Sequence, residues 1–143
     1  MCPSAVTSMS IVAGVDFGTA SVRVSLFDSE RGRLGAGSAP YPVLRRGGEP
    51  DLAAQRHEDH CRALEVAFAA ALASGGVAGE AVASLAVATT GSSVVVVGED
   101  LQPLDDYYLW CDHRAWREAA EITSCAKKQG LPALSWCGGT YSA

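Results

Sequence analysis

The sequence predicts an α/β fold in which helices cover a mixed β-sheet. Near the N-terminus, short polar turns separate β-branched, apolar stretches, as in an antiparallel meander. A long stretch with helical spacing and a further apolar stretch follow, as in a crossover connection between parallel strands. The composition is that of a globular domain, because 48% of the 143 residues are hydrophobic and 19% are charged.

The first three strands are predicted to form the meander. Residues 11–17 are apolar and β-branched, which is typical of a buried strand. Residues 22–28 alternate apolar and polar side chains with the period of a half-buried strand, and residues 33–43 continue as a third, irregular strand. Short turns at 18–21 and 29–32 favour antiparallel pairing of neighbouring strands.

A long helix is predicted after a polar, glycine-rich loop at residues 45–51. It extends from about Ala53 to Ser74, and Gly75-Gly76 ends it. Apolar side chains recur there at spacings of three and four residues and predict the buried face: Cys61, Leu64, Phe68, Ala71 and Leu72.

The second half completes the predicted order β-β-β-α-β-β-α. A buried strand is predicted first, and the other elements follow along the chain: strand 82–88, polar turn 89–93, short strand 94–97, loop 101–108 and amphipathic helix 114–128. No element is predicted in the tail, residues 130–143, which is unusual for a finished domain.

Charge and composition exclude several classes of partner. Eleven Lys and Arg against sixteen Asp and Glu give a net charge of −5, whereas nucleic-acid binding needs clustered cations. No stretch approaches the roughly 20 apolar residues of a membrane helix. Five widely spaced cysteines are typical of reduced thiols. We therefore expect a cytoplasmic protein without a nucleic-acid or membrane partner and with a disordered segment at residues 1–10; a homo-oligomer is left open.

The most informative motif is D-x-G-T-x-S-x-R, which begins at Asp16 in a strand-turn-strand setting. Gly18 permits close approach of the backbone to a phosphate, Thr19 and Ser21 add hydroxyl donors, and Arg23 can neutralise phosphate charge. Asp16 can hold Mg²⁺ through water, because Mg²⁺ releases its hydration shell reluctantly. A plain hairpin also uses Gly and Ser, but the complete pattern after a buried strand favours phosphate binding.

On this motif the chain resembles the N-terminal end of FGGY-family carbohydrate kinases, a branch of the actin, Hsp70 and sugar-kinase superfamily. In that family the hairpin is the first phosphate loop, and the domain begins with the same ribonuclease-H-like β-β-β-α-β order. Residues 88–93 (ATTGSS) and 101–115 (LQPLDDYYLWCDHRA) resemble the ribulokinase group most closely. The resemblance spans nearly all residues from Val12 to Ser142.

The turn at residues 89–93 is a candidate sugar site. It follows the carboxyl end of a predicted strand, where open α/β sheets bind ligands. Gly91 permits close approach, while Ser92 and Ser93 offer hydroxyls suited to a polyol. A simple β-turn explains the same residues; similarity to the kinases implies that the turn borders the sugar.

The W-x-D-x-R segment is the second part of this candidate site. Trp110 can stack on the apolar face of a sugar. Asp112 and Arg114 can hydrogen-bond hydroxyls or pair with each other in a structural salt bridge. In the family a segment of this kind lies near the substrate cleft.

The resemblance implies a kinase that transfers the γ-phosphate of ATP to a terminal hydroxyl of a ketopentose such as ribulose, with ATP and Mg²⁺ as cofactors. It also implies an aspartate base and a second domain, and neither is matched within this chain. We therefore expect the catalytic base beyond Ala143, residues 11–143 to be a truncated N-terminal part of the first kinase domain, and little activity from the chain alone. The alternatives are a non-catalytic phosphate-binding or regulatory module, and a kinase for xylulose, glycerol or another polyol.

Overall fold

The computed structural model describes residues 10–141 and confirms the α/β prediction. The chain divides into two compact units, one of residues 10–42 with 58–90 and the other of residues 43–57 with 91–141. The segment predicted to be disordered lies, apart from Ser10, outside the described residues. In chain order the elements are β1 (Ile11–Phe17), β2 (Ser21–Asp28), β3 (Gly32–Pro40), β4 (Leu44–Arg46), β5 (Glu49–Gln55), α1 (His57–Gly75), β6 (Val82–Thr89), β7 (Tyr107–Tyr108), α2 (Trp116–Gln129) and α3 (Ala133–Trp136).

The first unit contains a four-stranded mixed sheet in the order β3-β2-β1-β6. The first three strands form the predicted antiparallel meander, and β6 pairs parallel to β1. Alternate residues of β2, namely Val22, Val24 and Leu26, are fully buried. They form the centre of a core that α1 completes with small side chains.

Helix α1 packs very closely on β3 because both surfaces lack bulk. Its buried residues are all alanines: Ala63, Ala67 and Ala71. A Cβ atom on Gly37 would lie 2.7 Å from the backbone nitrogen of Ala71, and one on Gly35 would lie 2.6 Å from that of Gly75. The two strand glycines therefore permit a backbone-to-backbone approach that any larger residue would prevent.

The same helix completes the open edge of β3. The Ser74 hydroxyl accepts the Ala36 N–H at 3.0 Å and lies 2.9 Å from the Ala36 carbonyl oxygen. β3 is the outer strand of the sheet, so its outward backbone groups would otherwise require water. One side chain thus ties the last turn of α1 to the sheet.

Residues 44–56 do not form the predicted loop and the predicted start of the long helix. Residues 44–46 and 49–55 form β4 and β5, and α1 begins only at His57. The Leu52 to Ala54 segment is buried in the second unit, where pairing with neighbouring strands overrides the helical preference of alanine. The predicted buried face of the helix is also partly wrong, because Cys61 is exposed and the alanine row lies at the centre of that face.

The second unit contains a three-stranded antiparallel sheet in the order β4-β5-β7, together with α2 and α3. Helix α2 begins two residues later than predicted and ends at Gly130, whose φ of 62° is the left-handed conformation that glycine favours. Lys127 and Lys128 lie in its last turn, as expected from the helix dipole. The tail, where no element was predicted, contains the four-residue helix α3.

Two predictions about the apolar strands of the second half are wrong. β6 was expected to be buried, yet Leu85 and Val87 are 53% and 55% exposed, because within residues 10–141 this outermost strand of the sheet pairs only with β1. Residues 94–97 form no strand; isolated bridges join Val94 to Tyr108 and Val97 to Pro103. Across residues 10–141, no helix combines the length and apolar character needed to span a bilayer.

Candidate functional site

The D-x-G-T-x-S-x-R motif forms the turn between β1 and β2. The Gly18 N–H donates to the Ser21 carbonyl oxygen at 2.9 Å and closes the turn. Asp16 and Arg23 lie directly opposite each other in the antiparallel register. Their side chains form an ion pair with a distance of 2.8 Å between Arg23 Nη2 and Asp16 Oδ2, and both are more than half exposed, at 60% and 52%. An anion and a cation are therefore presented together at one end of the sheet.

A glycine is needed at position 18 because neighbouring atoms lie close to its backbone, and not because of its backbone angles. Its φ does not fall in the left-handed region. A Cβ atom at this position would lie 3.1 Å from Arg23 Nη2 and 3.4 Å from the Ser21 carbonyl oxygen. The missing side chain lets the guanidinium lie against the turn, in which Thr19 and Ser21 are half-buried. All five residues predicted to bind phosphate and metal thus belong to one hairpin.

Asp16 can take part in a Mg²⁺ site only together with other donors. Within the described part of the chain, no group of three or more His, Cys, Asp or Glu side chains is arranged to hold a metal ion. Mg²⁺ in nucleotide sites commonly uses one or two carboxylates, several waters and substrate phosphates. A single half-exposed carboxylate beside this turn fits that donor set, although Arg23 competes for it.

Four of the predicted sugar-site residues line one pocket of about 360 Å³ in the second unit. They are Ser92, half-exposed Trp110, Asp112 and Arg114. Gly91 and Ser93 do not line it. Sequence reasoning missed the other lining residues: Val94, Tyr108, Leu109 and Ala115. The repeated aromatic in Tyr107-Tyr108, two residues before Trp110, was the available signal for Tyr108.

Asp112 holds Arg114 in place. The Arg114 Nε lies 3.0 and 3.1 Å from the two carboxylate oxygens, and its Nη2 lies 3.0 Å from Oδ2. Oδ2 of Asp112 also accepts the Ala53 N–H at 3.0 Å. Burial alone would raise the pKa of Asp112, but the hydrogen bonds from Arg114 and Ala53 outweigh it and lower the pKa. Of the two roles considered for this pair, the structure therefore contains the salt bridge.

Arg114 has further partners around the pocket. Its guanidinium carbon lies 4.9 Å from the centroid of the Tyr108 ring, a cation–π arrangement, and its Nη1 lies 3.7 Å from a Glu49 carboxylate oxygen. The Tyr108 hydroxyl donates to the Asp105 carboxylate, a contact that lowers the pKa of Asp105 and raises that of Tyr108. Side chains from several segments of the second unit thus orient one guanidinium, which remains 38% exposed.

The serine turn carries two unusual features. Ser92 has a φ of 62°, a left-handed conformation that non-glycine residues adopt rarely and at some energetic cost. The Ser93 Oγ is buried and has no hydrogen-bond partner in the described structure. Unpaired buried hydroxyls are uncommon and are concentrated at functional or strained positions. A Cβ atom on Gly91 would have no neighbour within 4 Å, so the chain's own packing does not require a glycine there.

Comparison with known proteins decides the family. Residues 11–135 match the N-terminal domain of the FGGY family of carbohydrate kinases. The chain belongs to this family. This FGGY chain is 31% identical to a ribulokinase from Geobacillus thermodenitrificans over 151 aligned residues, which cover 92% of the chain and 27% of the relative.

Solved structures of sugar kinases share the fold of this FGGY chain. A xylulose kinase from Brucella ovis superposes with a TM-score of 0.75 at 23% identity, covering 85% of the chain and 25% of the kinase. A gluconate kinase from Lactobacillus acidophilus superposes with a TM-score of 0.66 at 20% identity, covering 86% of the chain and 23% of the kinase. The chain therefore has the actin- and Hsp70-like fold of these enzymes and spans about a quarter of the length of the relatives that it matches.

Proposed function

We propose that the protein containing this chain transfers the γ-phosphate of ATP to a terminal hydroxyl of a ketopentose such as ribulose. The proposal rests above all on the exposed Asp16–Arg23 pair beside Gly18, on a hairpin of an FGGY domain. The similarity to a ribulokinase supports the choice of sugar. We assign this activity to the protein at its natural length, because the chain spans about a quarter of the length of the relatives that it matches.

The hairpin contributes positioning and charge, which supply most of the catalysis in phosphoryl transfer. Arg23 is exposed and can leave Asp16 to neutralise a phosphate oxygen. The Thr19 and Ser21 hydroxyls and the turn amides donate hydrogen bonds to the same phosphate. Asp16, once separated from Arg23, would hold the Mg²⁺ that accompanies ATP. When bound, this ion supplies neutralisation of the charge on the phosphates.

The pocket in the second unit contributes sugar binding. The half-exposed Trp110 ring offers a flat apolar surface to the C–H face of a sugar. Arg114 donates to sugar hydroxyls through N–H groups that Asp112 does not occupy, and Asp112 acts as the residue that orients it. The strained Ser92 lines the pocket, while the enclosed hydroxyl of Ser93 needs a shift of the turn to reach a ligand. We do not assign any residue of this chain as the base that deprotonates the sugar.

Replacement of Asp16 tests the proposal. In the protein at its natural length, Asp16→Ala should lower kcat by on the order of a hundredfold, as loss of a transition-state electrostatic contact does. Glu65→Ala removes an exposed carboxylate from α1 of the same unit and should leave kcat unchanged. A kcat of the Asp16 variant within a few-fold of wild type would remove Asp16 from the metal site.

The choice of ribulose needs a separate test. Turnover with ATP is compared on a panel of ribulose, xylulose, other ketopentoses, gluconate and glycerol. We expect the highest kcat/KM on ribulose, since specificity is the ratio of these values between competing substrates. A higher value on another sugar would replace ribulose while leaving the kinase assignment intact.

A further inference from the structure

The ring of Tyr41 is fixed in the core of the first unit. Tyr41 follows β3 directly and is only 5% exposed. The ring of His60, in the first turn of α1, stacks on Tyr41 with 4.3 Å between ring centroids, and also stacks with Phe17 at 5.6 Å. Three rings from β1, α1 and the end of β3 thus form one stack with His60 in the middle, and this stacking together with burial restricts the movement of the Tyr41 ring.

Tyr41 contacts the phosphate-binding turn at three backbone carbonyls. Its hydroxyl donates to the Gly18 carbonyl oxygen and lies 3.1 Å from the Ser21 carbonyl oxygen. Its own N–H donates to the Ala20 carbonyl oxygen at 3.2 Å. Burial, and then the negative charge of Asp16, raise the pKa of Tyr41, so the hydroxyl keeps its proton at neutral pH.

These contacts set the orientation of one peptide unit. In a trans peptide the C=O and N–H groups point in opposite directions, and the described chain contains no cis peptide. Because the Gly18 carbonyl points at the buried Tyr41 hydroxyl, the N–H of Thr19 points away from that hydroxyl. A backbone N–H on a glycine-containing turn can bind a phosphate oxygen.

We propose that Tyr41 is a positioning residue of the phosphate loop, whose hydroxyl holds the Gly18–Thr19 peptide so that the Thr19 N–H faces a bound nucleotide phosphate. This inference rests on the proposed function, because it assumes that the turn binds phosphate. Tyr41 acts through the turn and does not touch the substrate. A residue with only a packing role in the core would need the aromatic ring but not the hydroxyl.

The test is Tyr41→Phe, which keeps the ring stack and removes only the hydroxyl. In the protein at its natural length, we expect the KM for MgATP to rise by about fivefold to tenfold, the effect of losing one hydrogen bond. The KM for ribulose should not change. Without nucleotide, the amide resonance of Thr19 in Tyr41→Phe should differ in position from that in the wild type. In the wild type, the Tyr41 Cζ resonance should shift when MgATP is added.

Ser74→Ala is the matched control. It removes a hydroxyl that also binds backbone groups within the first unit, but those of Ala36 and not of the turn. It should lower the unfolding temperature and leave both KM values unchanged. If Tyr41→Phe also lowers only the unfolding temperature, or if MgATP does not shift the wild-type Tyr41 resonance, Tyr41 is a structural residue. Either result overturns the inference and leaves the proposed function standing. Failure of the wild type to use MgATP would overturn the proposed function, and the inference with it.

Discussion

Asp16 and Arg23 face each other across β1 and β2, and their charged groups lie 2.8 Å apart where the hairpin turns. Each is therefore the other's ion-pair partner. In the proposed function, a phosphate with its Mg²⁺ would exchange this one ion pair for two contacts, with Arg23 on the phosphate and the Asp16 carboxylate near the metal. Since both side chains are more than half exposed, breaking the pair costs about 1 kcal/mol or less.

Arg23→Gln should separate binding from stability. The free energy of unfolding should change by less than about 1 kcal/mol, because the lost ion pair is exposed. The KM for MgATP should rise by about tenfold, since a charge-assisted contact to phosphate is lost. Urea denaturation and steady-state kinetics measure the two effects. A loss of stability above about 2 kcal/mol with an unchanged KM would show a structural role for the pair.

Gly37→Ala should destabilise the first unit. The added Cβ atom would meet the backbone of α1 at 2.7 Å from the Ala71 nitrogen, so the helix must move away from β3. We expect a loss of about 1–3 kcal/mol, the range of overpacked cores. Gly14→Ala is the control in the same sheet, because its Cβ atom would have no neighbour within 4 Å. Equal midpoints of urea unfolding for both variants would contradict the close packing of α1 on β3.

Asp28 should make stability depend on pH in the acid range. Its buried carboxylate accepts the N–H groups of Arg31 and Glu30, both at 2.9 Å, and these bonds lower its pKa. A lowered pKa in the folded state contributes stability that is present above the unfolded value of about 3.9 and disappears as pH falls through the folded value. Asp28→Asn should therefore be less stable than wild type at pH 7, and the difference should shrink below about pH 4. A difference that stays constant from pH 7 to pH 2 would exclude this charge effect.

Asp112→Asn should weaken sugar binding through Arg114. The variant keeps the shape of the side chain but loses the charge that holds the guanidinium, so the free energy of unfolding should fall by about 1–2 kcal/mol. The KM for ribulose should rise while the KM for MgATP stays the same. Glu121→Gln, an exposed carboxylate on α2, serves as the control for charge alone. If neither KM changes in Asp112→Asn, Arg114 does not contact the sugar.

The hairpin and the helix α1 show what local pattern predicts well. The alternation in residues 22–28 and the spacing of apolar residues in α1 are local periodicities. β2 lies where the first pattern predicts it, and α1 contains the second pattern but begins later than predicted. The residues expected to bind phosphate could also be grouped from the sequence, because Asp16 and Arg23 meet across a short hairpin whose register follows from its turn. Their sequence separation is small, so tertiary structure had little to add.

Contacts between segments that are distant in sequence determine the features that local patterns did not predict. Residues 53–55 have helical composition, yet strand pairing with Tyr107 and Tyr108 makes them part of β5. Tyr41 reaches the turn of residues 18–21 because β3 returns beside β2, which no local pattern around Tyr41 indicates. The resemblance to the FGGY family and the antiparallel hairpin of β1 and β2 followed from the sequence by itself, since the motif and the alternating pattern are local along the chain. The tertiary structure alone brings Glu49 beside Arg114 and the Tyr41 hydroxyl against the Gly18 carbonyl, because these contacts join residues that are distant in sequence.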